Sequence, residues 1–235
     1  MKFYDATKVW SIPDVFAELT DKDYAAFRIQ DTDKRIRFKP ILTERNKFAD
    51  IAFIGLNTYC ADDFAKAASK FNYFEWVQED PEYFKFLKPI MEIYCQALEL
   101  ANNRPAVAYY TNYLKIVPSK SGFGPGKGAA VRKALDNSDK LVPFCKRTMA
   151  EEVDMLTAHG CRIFVCFGSD AAELFQEAVS PAPTPVAGVS QLVQFESNDA
   201  KCVIVNSPHF AARQDMVAES EFLTGIMFRH GLQGK

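Results

Sequence analysis

Three clusters of polar side chains each follow an apolar run, and their types suit a binding or catalytic site. They are Asn57 and Tyr59 after the first run, Asn112 after the second, and Ser207 and His209 after the last. An asparagine carboxamide carries a hydrogen-bond donor and an acceptor together, so it can bind a polar ligand through both. Because ligands of open α/β sheets bind beyond the carboxyl ends of the strands, we expect these clusters to meet at one rim of a sheet.

Four apolar runs separated by helical patterns predict the sheet that would position these clusters. Strands are expected at 51–55, 106–111, 162–167 and 202–205. Helices are expected at 87–100, with Pro89 near the first turn, and at 141–156, 170–179 and 216–229. Short uninterrupted apolar runs suit strands buried on both faces, and strands alternating with helices favour a parallel sheet. The predicted fold class is α/β, a three-layer sandwich with a four-stranded parallel sheet flanked by helices.

The chain is predicted to be one domain spanning residues 1–235. Residues 1–45 read as an N-terminal extension that packs on an α/β core formed by residues 46–235. Segments 192–195 and 201–205 also have the pattern of a hairpin around Asn198-Asp199. Neither an internal repeat nor a linker interrupts the pattern.

Composition favours a protein of the cytoplasm that needs no metal. Of 235 residues, 48% are hydrophobic, which is enough for a full core. No apolar run approaches the ~18 residues of a membrane span, and the N-terminus lacks a signal-peptide core. The six cysteines form no Cys-x-x-Cys pair and the three histidines are scattered. Neither a zinc site nor an iron–sulfur cluster is therefore expected.

The net charge of −2 does not indicate nucleic-acid binding, but basic residues are clustered. Lys120 and Lys127 lie in a Gly-rich stretch without acids, and with Arg213 they are the candidates for contacts with DNA phosphates. The Gly126-Lys127 pair is not a phosphate-binding P-loop. Gly128 follows the lysine where a P-loop has Ser or Thr, and no strand leads directly into it.

The order of four short motifs resembles the uracil-DNA glycosylase superfamily. They are Gly55-Leu56-Asn57-Thr58-Tyr59, Thr111-Asn112-Tyr113-Leu114-Lys115, Phe167-Gly168-Ser169 and Ser207-Pro208-His209-Phe210. The likeness spans Ala49 to Arg213, which is most of the chain. It implies a glycosylase-like fold that acts on DNA without a cofactor. The implied activity is hydrolysis of the N-glycosidic bond of a flipped, damaged base such as uracil.

The resemblance also implies roles for individual residues. Asn57 matches the residue that orients the attacking water, Tyr59 the aromatic that bars the thymine methyl group, and Asn112 the residue that reads uracil. Lys115 sits where related chains place a basic residue near the base or a phosphate. Either Phe71 or Phe74 would supply the ring that stacks on the base.

The last motif departs from the family pattern, which leaves alternatives open. Members with strong activity carry His-Pro-Ser there, whereas this chain has Ser207 in the histidine position and His209 in the serine position. The mismatch-specific branch of the family also lacks the histidine, so the departure does not exclude activity. Together with Asn57 in place of a carboxylate, this predicts a slow enzyme, or none on ordinary uracil. One alternative is a catalytically inactive glycosylase fold that binds nucleic acid. Another is an unrelated α/β protein that binds a small nucleotide at the same sheet edge. The base, DNA versus RNA, and the oligomeric state stay open.

Overall fold

A computed structural model describes residues 4–5, 41–43, 48–56, 81–114, 132, 135, 140–179, 182–208 and 216–229. The strands are β1 (Tyr4–Asp5), β2 (Ile41–Leu42), β3 (Ile51–Gly55), β4 (Ala108–Asn112), β5 (Ile163–Phe167), β6 (Thr184–Val186), β7 (Val189–Ser197) and β8 (Ala200–Ser207). The helices are α1 (Pro81–Asn102), α2 (Leu141–Ala158), α3 (Ser169–Ala178) and α4 (Met216–Arg229).

The described strands form one mixed sheet in the order β1-β2-β4-β3-β5-β8-β7-β6. Strands β4, β3, β5 and β8 are parallel and correspond to the four runs expected from the sequence. Antiparallel strands extend this centre on both sides. The prediction of a four-stranded parallel sheet is therefore wrong in strand number and in direction. Strands β1, β2 and β6 have two or three residues each, too few for a periodic pattern to show in the sequence.

The β7–β8 hairpin expected from the sequence is confirmed. Its strands pair from Leu192 with Val205 to Ser197 with Ala200. Between them, Asn198 and Asp199 take φ values of 50° and 58°. Two consecutive positive φ values match the twist of the flanking strands, and Asn and Asp tolerate them better than other residues with a side chain.

Helices cover both faces of the sheet. Phe53, Tyr110 and Val165 belong to the core beneath α1 and α4. Their sequence neighbours belong to the opposite core beneath α2 and α3, since alternate residues of a strand face opposite sides. Every residue of β3, β4 and β5 is buried, and apart from Thr111 and Asn112 at the end of β4 these strands carry no polar side chain. The α/β class with helices on both faces is confirmed.

Two element boundaries differ from the expected ones in ways that matter for the site. Helix α1 begins at Pro81, so Pro89 lies inside the helix rather than near its start. Its ring is exposed, while Leu87 and Ile90 pack in the core. Strand β4 ends at Asn112, so this residue belongs to the strand instead of following it. None of the described helices is long and apolar enough to span a bilayer.

Candidate functional site at the carboxyl ends of the parallel strands

The last residues of the four parallel strands form a line across the sheet, here called the strand-end row: Asn112, Gly55, Phe167 and Ser207. Asn112 is in register with Gly55, and Phe167 with Ser207. Ile54 of β3 pairs with Cys166 of β5, so the residues that follow them, Gly55 and Phe167, are also aligned across the sheet. Along its own strand, each member lies two residues after a residue of the core beneath α1 and α4. Because alternate residues of a strand face the same side, the whole row lies on that face of the sheet.

The Asn112 carboxamide lies directly over Gly55. A Cβ atom added to Gly55 would stand 2.1 Å from Oδ1 of Asn112 and 3.0 Å from the hydroxyl of Tyr110. That hydroxyl donates a hydrogen bond to Oδ1 of Asn112 at 3.4 Å. Asn112 itself is 0% exposed, so a base would reach the carboxamide only after the groups that cover it move. Glycine at position 55 therefore provides the space that the carboxamide occupies.

Strands β3 and β4 stay together beyond their ends. The amide of Tyr113 donates to the carbonyl of Gly55 at 2.8 Å, and the amide of Leu114 donates to the carbonyl of Leu56 at 2.9 Å. The next residues along the two segments are Asn57 and Lys115. The chain therefore leaves the sheet toward these two candidates from backbone positions that are hydrogen-bonded to each other.

Ser207 is tied to β5 but stands apart from Asn112. Its carbonyl accepts a hydrogen bond from the amide of Gly168 at 2.7 Å. Three strand spacings put the backbones of Asn112 and Ser207 roughly 14 Å apart. The buried ring of Phe167, which stacks on Phe53 at 5.9 Å, belongs to the same face between them. The structure does not bring these two candidate side chains into contact.

The hydroxyl of Ser207 is buried without a hydrogen-bond partner in the described part of the chain. The residue is 0% exposed. Leaving a buried hydroxyl unpaired costs about 1–3 kcal/mol, so a group that hydrogen-bonds this hydroxyl would stabilise the protein. This hydroxyl is the polar group of the row that a ligand could satisfy.

A buried carboxyl group lies behind β4, on the other face of the sheet. Glu152 of α2 is 0% exposed and accepts a hydrogen bond at 3.4 Å from the hydroxyl of Thr111. Burial, and next the charge of Glu152, raise the pKa of the Tyr109 hydroxyl. The burial of Glu152 could have been predicted from its position in the sequence. It lies three residues after Met149 and directly before Val153, within the apolar stripe of α2.

No protein-family model matches the chain, and no curated protein is significantly similar to it. Its function must therefore be argued from the site and from the motif resemblance.

Most of the candidate side chains lie outside the described residues, and their roles stay predictions. These are Asn57, Tyr59, Phe71, Phe74, Lys115, Lys120, Lys127, His209 and Arg213. Arg132 follows the basic stretch of Lys120 and Lys127 in the sequence. Its guanidinium forms ion pairs with Glu173 at 2.7 Å and Glu177 at 3.6 Å. It is therefore less free to contact a phosphate than its sequence suggests.

The described residues contain no group of three or more side chains suited to hold a metal ion. Their five cysteines are free and buried. Burial chiefly raises the pKa of Cys95 to about 12 and that of Cys202 to about 11. It also raises the pKa of Cys161 and Cys166. Because the thiolate is the form that binds metals and attacks electrophiles, these cysteines act as small apolar core residues.

Proposed function

We propose that the protein is a DNA glycosylase-like hydrolase, related to the uracil-DNA glycosylase superfamily, that cleaves the N-glycosidic bond of a flipped base. The observation that supports this most is the Asn112–Gly55 contact together with the backbone pairing that continues to Leu56 and Leu114. It keeps the base-reading candidate, Asn112, beside the segment that leads to Asn57. In the proposed reaction, Asn112 hydrogen-bonds the edge of the base, and Asn57 orients a water for attack on the sugar.

The proposed chemistry is slow because Asn57 stands in place of a carboxylate and Ser207 in place of a histidine. An asparagine orients a water but does not accept its proton. Ser207 in the histidine position offers a weaker donor to the negative charge that develops on the leaving base. Losing one such donor typically costs about 10²–10³ in rate. Bases that leave more readily than uracil are therefore the best substrates for a first assay.

The activity can be tested on oligonucleotides that contain uracil, hypoxanthine or xanthine, single-stranded and in duplexes, with abasic sites detected by alkaline cleavage. We expect abasic sites on at least one of these substrates. Asn112→Asp should lower the rate about 10²-fold, since it removes the amide donor. Asn206→Asp is the matched control, because Asn206 is next to Ser207 and its side chain lies on the opposite face. If no substrate yields abasic sites, the glycosylase proposal fails.

A second candidate function has one observation in its favour. Both described candidates, Asn112 and Ser207, are 0% exposed, as expected of a fold that binds nucleic acid without admitting a base. Salt-sensitive DNA binding with every glycosidic bond intact would favour this function. Each variant should be checked for its melting temperature, so that loss of folding is not taken for loss of chemistry.

A further inference from the structure

A groove of about 650 Å³ runs between α1 and α4, on the outer side of the helix layer. One wall is formed by Ile93, Ala97 and Leu100 of α1, and the other by Glu221, Gly225 and Phe228 of α4. Both sets repeat at i, i+4 and i+7, so each wall is a straight stripe about two helical turns, or ~10 Å, long. The groove is separate from the strand-end row.

The α1 wall is a second apolar stripe, in addition to the one that packs on the sheet. Leu87, Met91 and Leu98 belong to the core beneath α1. Leu100 is 86% exposed, more than any other large hydrophobic residue described. An ordinary surface helix of a globular protein needs only the stripe that faces its core. The additional stripe therefore indicates a contact that the described residues do not make.

Gly225 on the other wall shows that backbone can approach closely. It lies within α4, where glycine is about 0.5–1 kcal/mol less favourable than alanine. Nothing lies within 4 Å of the position that a Cβ atom would take. Packing among the described residues therefore does not require glycine at this position. A helix that enters the groove would use the space, as would the small side chain of Ala97 opposite.

Charge distinguishes between the occupants of such a groove. Among the described side chains of the two helices, those charged at neutral pH are Lys88, Glu92, Glu99 and Glu221. Lys88 lies 3.7 Å from Glu92, and Glu99 accepts a hydrogen bond at 3.2 Å from the amide of Ala106. Glu221, the one charged residue of the groove, has no ion pair among the residues described. In a symmetric dimer formed through this groove, a second copy would bring another Glu221 and no cation from the residues that line the groove, which disfavours self-association there.

We propose that this groove docks an amphipathic helix of a partner protein, with small apolar residues toward Ala97 and Gly225 and a lysine or arginine beside Glu221. The geometry is that of helix-in-groove recognition, in which a helix places apolar side chains at i, i+3, i+4 and i+7 between two others. The cation selects the partner, because Glu221 would otherwise be covered without a counter-charge.

Two synthetic helices test the proposal against the intact protein. Both are fluorescein-labelled 14-residue peptides with leucine and alanine at i, i+3, i+4 and i+7; the remaining positions are lysine in one and glutamate in the other. Fluorescence anisotropy should show saturable binding of the lysine peptide, weaker at 300 mM than at 50 mM NaCl. Binding of the glutamate peptide should be at least tenfold weaker.

Variants then locate the binding site. Gly225→Leu fills the groove and should weaken binding at least tenfold, whereas Gly225→Ala, which adds one methyl group, should weaken it no more than about threefold. Glu221→Gln should remove most of the salt dependence. Glu196→Gln is its matched control, since Glu196 is an exposed carboxylate of β7 outside the groove. Melting temperatures at or above the wild-type value would show that the Gly225 variants fold.

Three results would overturn the proposal. One is the absence of saturable binding of the lysine peptide. Another is binding that Gly225→Leu leaves unchanged, which would mean that the peptide is attracted elsewhere by charge alone. The third is a concentration-dependent dimer in sedimentation that Gly225→Leu abolishes, because the occupant would then be a second copy. A monomer at 100 μM supports the proposal by leaving the groove free for a partner.

Discussion

Replacing Gly55 by alanine tests the geometry of the strand-end row most directly. The new Cβ would stand 2.1 Å from Oδ1 of Asn112, which is 1.3 Å short of the 3.4 Å at which ordinary van der Waals contact begins. Asn112 is fully buried, so its carboxamide has no solvent to move into. Its displacement would also break the hydrogen bond from Tyr110.

The expected loss of stability follows from two opposing effects. Overpacking in a core typically costs about 1–3 kcal/mol. Alanine also restricts the unfolded chain, which by itself would stabilise the protein by about 0.4–1 kcal/mol. We expect the steric effect to prevail, with a net destabilisation of about 1–2 kcal/mol. In a chain of this length each kcal/mol lowers the melting temperature by ~2–4 °C.

A double-mutant cycle assigns that loss to Asn112. Free energies of unfolding from urea titrations would be compared for wild type, Gly55→Ala, Asn112→Ala and the double variant. Once the carboxamide is removed, Gly55→Ala should cost little, which gives a coupling energy of about 1–3 kcal/mol. A coupling below ~0.5 kcal/mol would show that the two residues do not compete for the same space, and the reasoning would be refuted.

Two other glycines serve as controls for the same substitution. Gly225→Ala should stabilise the protein by about 0.5–1 kcal/mol, because the site is helical and open. Gly160→Ala should destabilise it although nothing is within 4 Å, since φ is +102° there. Only Gly55→Ala should be rescued by Asn112→Ala.

Further predictions concern the buried polar groups. Ser207→Ala should raise the free energy of unfolding by up to about 1 kcal/mol in urea titrations, because it removes a buried hydroxyl that has no partner among the described residues. A decrease would show that the hydroxyl has a partner. Asp50 accepts the amide of Val107 at 2.9 Å and the guanidinium of Arg104, so Asp50→Ala should cost about 1–3 kcal/mol. Arg104→Ala should cost less than ~1 kcal/mol, because that side chain is 49% exposed; equal losses would contradict this. The pKa of Cys95, raised from 9.0 to about 12, keeps the folded thiol protonated when the unfolded one ionises. The contribution of this raised pKa to the free energy of unfolding is complete below pH 9 and is lost as the pH rises toward 12. Cys95→Ala should therefore make the free energy of unfolding fall less steeply between pH 8 and pH 11. An unchanged slope would refute this.

The motif resemblance includes residues that lie outside the described structure, among them Asn57. The proposed reaction uses Asn57 to orient the attacking water, whereas the geometry on which the proposal depends is that of Asn112 and its neighbours. The assays of base excision and of DNA binding therefore decide between a slow hydrolase and a binding module.

The sequence by itself determined the α/β class, the four central strands and the β7–β8 hairpin. Uninterrupted apolar runs and helical spacing are local signals, since they arise from burial of one short segment at a time. An Asn-Asp turn between two strands is local in the same way. The sequence therefore predicts Asn112 at the carboxyl end of the second parallel strand, where the structure places it.

Only the tertiary structure decided which groups meet. Strands β1, β2 and β6 are too short to leave a pattern, and their pairing depends on edges that other segments provide. The sequence did not reveal that the Asn112 carboxamide fills the space over Gly55, or that Phe167 lies between Asn112 and Ser207 in the row. These contacts join residues distant in the chain, and they depend on strand register, which apolar content alone does not fix.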